Sequence, residues 1–463
     1  MKQISFTGHG RRQLIPLPPR AVAIVSGIIA GIGTFGIASS SLIAQTKAPT
    51  RLVLGDLYRD IARASPRAAA ARALARAAEA RVPSAKLPPD PQLQLGFMNY
   101  SLPGLRQMDP LGMTQLQLMQ MIPTPGKLGL SGRIAAARAA AESERADDVV
   151  WAARAEVAMA FYDLYRTERG LAVARETLRL LRDIRKTAES MYRVGEGRQA
   201  DVLRAQVEIA RMVEDTIRMS TMRIGMKGRL DALLDRPSDA PIAAPALPAF
   251  PDSVMPLDAL LALASTGRPM IRAGARELDA ASAQATLARR EIWPDLAIGV
   301  QYGERNGEMG SERMGSLMLG ASIPIFAKGR QLRMREEAAA MRRMAVAELA
   351  AMRADTRGRV TEAYANLIRA RNLASLYRTT VLPQAEATVA AALAAYRVGG
   401  VDFMTLLDDQ MTSNGYRQEL FALEADEGKA WAELEMLLGR ELFDADGVAS
   451  TVAGTARGME ETR

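Results

Sequence analysis

The sequence predicts a mixed α and β membrane protein whose chain is built twice over. Three observations predict it: landmarks that recur about 200 residues apart, four short segments alternating apolar with polar residues, and proline-free helical runs too long for an ordinary globular core. Tyr192-Arg193-Val194-Gly195 recurs as Tyr396-Arg397-Val398-Gly399, and Leu203 and Gln206 recur as Leu407 and Gln410, all at an offset of 204. The segment Pro91 to Gly96 is echoed by Pro294 to Gly299 at an offset of 203, and Ile122-Pro123 by Ile323-Pro324 at 201. A near-constant offset across separated landmarks means duplication, so each half is expected to carry the same order of elements.

The elements follow in order. An uncharged stretch from Ala21 to Ala38 comes after Arg11, Arg12 and Arg20 and ends in small residues, so residues 1–44 read as an export signal, with an uncleaved anchor as the alternative. The first repeat spans 45–236. Leu52 to Val82 has apolar residues at helical spacing, and Pro83, Pro88, Pro89 and Pro91 are expected to end that helix. A hairpin over 92–122 follows. Leu93, Leu95 and Phe97 oppose Gln92, Gln94 and Gly96, and Leu116 and Leu118 oppose Gln115 and Gln117, although Met119 and Met121 blur the polar side.

Arg133 to Met191 holds no proline, and a helix of that length spans roughly 90 Å. It breaks at a turn over 192–198, and a second helical run goes from Gln199 to Leu234. Residues 237–256, with Pro237, Pro241, Pro245, Pro248, Pro251 and Pro256, read as a linker. The second repeat, 257–442, has a hairpin over 295–323, a long helix from Gln331 interrupted by Pro383, a turn over 396–401 and a helix from Asp402 to Leu438. The links Ser101 to Met113 and Glu304 to Gly315 read as exposed loops, and 443–463 as a flexible tail. Trp293 and Tyr100, near strand ends, suit an aromatic belt at a membrane interface.

Four strands cannot close a barrel, and an open edge facing lipid leaves backbone groups unsatisfied. Three copies give twelve strands, the preferred closure, with the helices continuing the cylinder on one side; two copies give eight, whose interior side chains fill.

Composition excludes several function classes. The net charge of +8 comes from 60 Lys and Arg, 52 of them Arg, against 52 acids interspersed on the same helices, and no basic run is interleaved with aromatics, so no nucleic-acid partner is expected. There is no Cys, and the only His is His9, inside the export signal. The usual zinc ligands and hydrolase triads are therefore missing, no Gly-rich phosphate loop or Gly-x-Ser-x-Gly elbow occurs, and neither enzyme activity nor any cofactor or bound metal is expected.

Over about residues 50 to 442 the chain resembles the TolC-like outer-membrane efflux family. The duplication, the Pro91 and Pro294 strand approaches, the Ile-Pro strand exits and the Tyr-x-Val-Gly turns carry the resemblance. It implies a homotrimer in the outer membrane: a twelve-stranded barrel, four strands per subunit, continued by a long periplasmic helical barrel. The implied partners are a periplasmic adaptor and an inner-membrane pump, of the resistance-nodulation-division type. The implied function is that of a passive export duct.

The resemblance also implies that Arg193, Val194 and Gly195, with Arg397, Val398 and Gly399, form tips on which the adaptor docks. It places a duct constriction near them. Asp402, Thr405 and Asp409 share a helix face at i, i+3, i+7, and three copies turn each inward carboxylate into a ring. Asp408 matches one family gate acid, Thr405 stands where another acid is often found, and Asp201 carries the Asp-Val-Leu form of the motif; Tyr396 belongs to the same constriction. Ile122-Pro123-Thr124-Pro125-Gly126-Lys127 is similar to the heavy-metal branch, so heavy-metal cations stand beside small toxic compounds as cargo. The competing readings are a type I protein-secretion duct and a periplasmic coiled-coil scaffold held by an uncleaved anchor.

Overall fold

The computed structural model describes residues 51–447 apart from 102, 105, 109–111, 239 and 308–309; the export-signal reading of 1–44 and the tail from 448 lie outside the described residues. The first helical run is two helices, α1 (Leu54–Ala64) and α2 (Pro66–Ser84). Pro66 offers no N–H and holds Ser65 extended, and the Ser65 hydroxyl accepts a hydrogen bond from the Ala68 N–H at 3.3 Å, so a cap stands where periodicity ran on. Pro83, expected as a stop, lies inside the last turn of α2, where it removes a single hydrogen bond; the helix ends before Pro88.

The strands are β1 (Gln92–Met98), β2 (Tyr100–Ser101), β3 (Arg106–Gln107), β4 (Met113–Ile122), β5 (Leu296–Gly307) and β6 (Gly310–Ala321). β1, β4, β5 and β6 form one antiparallel sheet in that order, which leaves β1 and β6 as its edges. Register carries one row of apolar side chains across all four strands, Leu93, Leu118, Val300 and Leu317. The next row is polar on the opposite face, Gln94, Gln117, Gln301 and Ser316, and the Gln301 amide donates to the Gln115 side chain. Leu317 and Leu319 are 69 % and 76 % exposed, so among the described residues nothing covers that part of the apolar face. Much of the expected loop from Glu304 to Gly315 is instead ladder, because Arg305 and Glu312 pair across it at 2.6 Å and the turn itself is short.

The helices are α3 (Lys127–Arg193), α4 (Gln199–Leu233), α5 (Leu257–Gly267), α6 (Pro269–Arg290), α7 (Gln331–Leu376), α8 (Leu382–Arg397) and α9 (Phe403–Leu438). At 67 residues α3 runs about 100 Å. Pro383 does not interrupt the second long helix as expected. A π-helical turn over Tyr377–Val381 joins α7 to α8, and the Leu382 N–H reaches back to the Tyr377 carbonyl, so the backbone stays helical past the proline.

The largest core lies where α1, α3, α4, α5, α7 and α9 meet. Phe161, Tyr162 and Leu164 of α3 are fully buried there against Leu57, Leu230, Leu367, Leu434 and Leu437. The proline-rich segment is strapped to this core: Leu52 N–H donates to the Ala244 carbonyl and Ala246 N–H to the Leu52 carbonyl, both at 2.9 Å. Residues 443–447, expected to begin a flexible tail, are packed as well. Phe443 stacks beside Trp431 and Phe250, Gly55 N–H donates to the Ala445 carbonyl, and Asp446 pairs with Arg59 at 2.7 Å. Aromatic burial overrides the loop-like composition of that segment.

Glu435, near the end of α9, is buried in this core and accepts a hydrogen bond from the Leu442 N–H at 2.8 Å. Burial pushes its carboxyl from an ordinary 4.5 up to about 7, although backbone donors and Arg154 pull it back. The folded chain therefore holds this proton more tightly than the unfolded chain. The resulting stabilisation is complete below about pH 4.5 and falls by about 1.4 kcal/mol for each pH step of one as pH rises toward 7. Glu435→Gln flattens that slope between pH 5 and 7, as measured by thermal unfolding in detergent across that range.

Candidate functional site

The two Tyr-x-Val-Gly turns close the helix pairs in nearly the same way. In the first, Gly195 N–H donates to the Tyr192 carbonyl at 3.1 Å, and the N–H groups of Glu196 and Gly197 share the Met191 carbonyl at 2.9 and 3.0 Å. In the second, Gly399 N–H donates to the Tyr396 carbonyl at 3.1 Å and Gly400 N–H to the Ala395 carbonyl at 2.8 Å. Gly195 and Gly399 have φ of 82° and 75°, left-handed values that cost other residues about 1–2 kcal/mol. Reversing there leaves Val194 and Val398 71 % and 83 % exposed, and Arg193 and Arg397 are exposed beside them.

The environments of the two tyrosines differ. Tyr192 is 47 % exposed and Leu203, one turn into α4, 54 %, whereas their counterparts Tyr396 and Leu407 are each 5 % exposed. Tyr396 lies edge-on to Phe403, centroids 5.9 Å apart, in a cluster with Leu181, Ile184, Ala205 and Leu406 that joins α3 and α4 to α8 and α9. Burial, and then the charge of Asp201, push the Tyr396 hydroxyl up.

Between the turns lies a cleft of about 310 Å³ lined by Glu196, Arg198, Asp201 and Arg204 from one and Tyr396 and Asp402 from the other. Of the expected constriction residues, this cleft gathers Tyr396, Asp201 and Asp402. Asp402 caps α9: its Oδ1 accepts from the Thr405 N–H at 2.9 Å and the Thr405 hydroxyl at 2.6 Å. Those two bonds, helped by the charges of Arg198 and Arg204, hold its carboxyl below the usual carboxylate range.

Along α9 the exposed stripe runs Asp402, Thr405, Asp408, Thr412, Gly415. Asp408 therefore shares the face of Asp402 and Thr405, and Asp409, expected on it, is half-buried to one side. Arg198 and Arg204 went unnoticed in the sequence. Their spacing of three on either side of Asp201 put all three on one helix face, and the cleft sets two cations against three carboxylates. Among the described residues no cluster of His, Cys, Asp or Glu could hold a metal ion, and no helix is long and apolar enough to cross a membrane.

Solved structures share this fold. CusC, described for its transmembrane channel formation, is 18 % identical and superposes with a TM-score of 0.71 over 86 % of this chain and 96 % of its own. VceC, an outer membrane protein of Vibrio cholerae, is 16 % identical, with a TM-score of 0.71 over 84 % and 96 %. The CmeC outer membrane channel of Campylobacter jejuni is 12 % identical, with a TM-score of 0.71 over 85 % and 87 %. The fold is that of an outer-membrane channel. The chain matches the outer membrane efflux protein family over residues 57–233 and 260–440, and it belongs to that family. Membership places it in the outer membrane with its helical domain in the periplasm, within a family of channel proteins. Channels of this family work in tripartite systems with an adaptor and an inner-membrane pump. A search of curated protein sequences gives no significant match.

Asp402→Ala removes the α9 cap and lowers the unfolding temperature, whereas Asp402→Ser, which restores a capping oxygen, stays close to the parent, as read from thermal unfolding.

Proposed function

We propose that each half of the chain is a structural repeat and that three copies form a passive export duct. Four strands from each close a twelve-stranded barrel, and the helices of the same copies continue it as a periplasmic tube. The observation that carries this reading is the sheet: a row of Leu93, Leu118, Val300 and Leu317 faces outward opposite a row of Gln94, Gln117, Gln301 and Ser316. A wall greasy on one side and wet on the other suits lipid outside and water within. An anchored periplasmic scaffold leaves that leucine row in water with no purpose, and a protein-secretion duct finds no separate support.

In the assembled duct the turns at Val194-Gly195 and Val398-Gly399, flanked by Arg193 and Arg397, are the ends that an adaptor grips, beneath an inner-membrane pump of the resistance-nodulation-division type. Their exposure and fixed backbone suit docking. Asp402, Thr405 and Asp408 line the narrow end, with Tyr396 and Asp201 behind them and Asp409 flanking. A ring of three Asp408 carboxylates favours cations. Asp408→Asn is expected to lower cation over anion selectivity and divalent block in planar bilayers, and unchanged values remove Asp408 from the constriction.

For cargo, one observation favours heavy-metal cations over small toxic compounds. Met98, Met113, Met119, Met121, Met314 and Met318 all register on the glutamine face of the sheet, and Met98 pairs directly with Met113. Thioethers bind soft cations such as Cu(I). Deleting the gene should sensitise cells to copper and silver salts; sensitivity to organic toxicants alone assigns the other cargo.

A further inference from the structure

Lys127 and Lys328 stand at the same place in the two halves, each five residues after the isoleucine of an Ile-Pro strand exit. Lys127 is buried, and every partner it finds comes from the approach to β5. Its ammonium donates to the Trp293 carbonyl at 3.0 Å and to Asp295 Oδ1 at 2.9 Å, with Glu291 at 3.5 Å. Thr124 completes the clip, donating through its N–H to Asp295 Oδ1 at 2.8 Å and through its hydroxyl to the Pro294 carbonyl at 2.6 Å. The end of β4 is thereby fastened to the start of β5, the strand it pairs with.

Lys328 has no such seat. It is exposed and without an ion-pair partner among the described residues, and its neighbours Ile323, Ile325 and Phe326 are 74–82 % exposed. In the approach to β1, the counterpart of the approach to β5, the Pro89 carbonyl accepts from the Gln120 amide at 2.8 Å, but Leu87 is exposed and Asp90 has no ion-pair partner among the described residues. Lys328 lies in the turn between edge strand β6 and α7, and Asp90 lies just ahead of edge strand β1. The chain thus holds one closed clip and the two separated halves of another.

Resting on the trimer reading above, we propose that Lys328 of one copy fastens onto the Leu87 to Gln92 segment of the next. The Asp90 carboxylate and the Gln92 side chain take the parts of Glu291 and Asp295, and Ile325 and Phe326 cover Leu87. Asp90 is needed because an ammonium seated there without a carboxylate is costly. The repeat offsets also set the strand register across the joint. Leu118 pairs with Val300 inside the chain, so adding 201 and subtracting 203 pairs Leu319 with Phe97 of the next copy. Both lie on the apolar face, as a continuous wall requires, and β6 meets the next β1 antiparallel. A head-to-tail contact of this kind closes a ring when the rotation fits.

The chain lacks cysteine, so introduced thiols are its only ones. The full-length protein carrying both Asp90→Cys and Lys328→Cys, treated in membranes with a short bis-maleimide, should give covalent dimers and trimers on boiled gels, and each single variant only monomer. Monomer from the double variant, with trimer persisting in unboiled samples, overturns the joint and leaves the duct standing. Monomer in both samples overturns the trimer itself. Lys328→Glu should lower the temperature at which the oligomer dissociates and Asp90→Lys added to it should restore that temperature; absence of restoration overturns the pairing.

Discussion

A strand edge in hydrocarbon leaves N–H and C=O groups without partners at several kcal/mol each, and the four-stranded sheet of this outer-membrane chain ends in two open edges, β1 and β6. Among the described residues no further strand pairs with them, and α2 and α7, which adjoin these strands in sequence, pack on other helices. Edge satisfaction therefore governs how the rest is laid out. The sheet is short in strands, its apolar row lies uncovered, and the helices α2 and α7 present long, largely exposed faces.

Much of this was legible in the sequence because two periods announce it. Leucine at 93 and 95 against glutamine at 92 and 94 leaves one reading of β1, and the proline-free run to Met191 leaves one reading of α3. Boundaries failed where a side chain decided them. The Ser65 hydroxyl splits a helix that periodicity joins, the Arg305 to Glu312 pair extends a ladder through a polar stretch, and Phe443 pins a segment that composition marks as loose.

The candidate site was less legible, for a different reason. Tyr192 with Leu203 and Tyr396 with Leu407 are the same residues at the same spacing, yet one pair is open and the other buried. Sequence identity between repeats says nothing of which face the other half covers. The mixed charge of the cleft was hidden likewise. Attention to carboxylates found Asp201 and Asp402, but Arg198 and Arg204 gain meaning only once the two turns lie side by side.

The π-helical turn at Tyr377–Val381 has a consequence for phase. A straight helix drifts about 20° per heptad against a 3.5-residue repeat, which is roughly 130° over a run as long as the 46 residues of α7. One extra residue taken up in a wide turn rotates everything beyond it by about 100°. That step re-aims the residues beyond it, and Ala392 and Tyr396 of α8 lie buried in one cluster with Phe403, Leu406 and Leu407 of α9. α3 covers an equal span of 67 residues with no such step, so its residues keep a single α-helical phase from end to end.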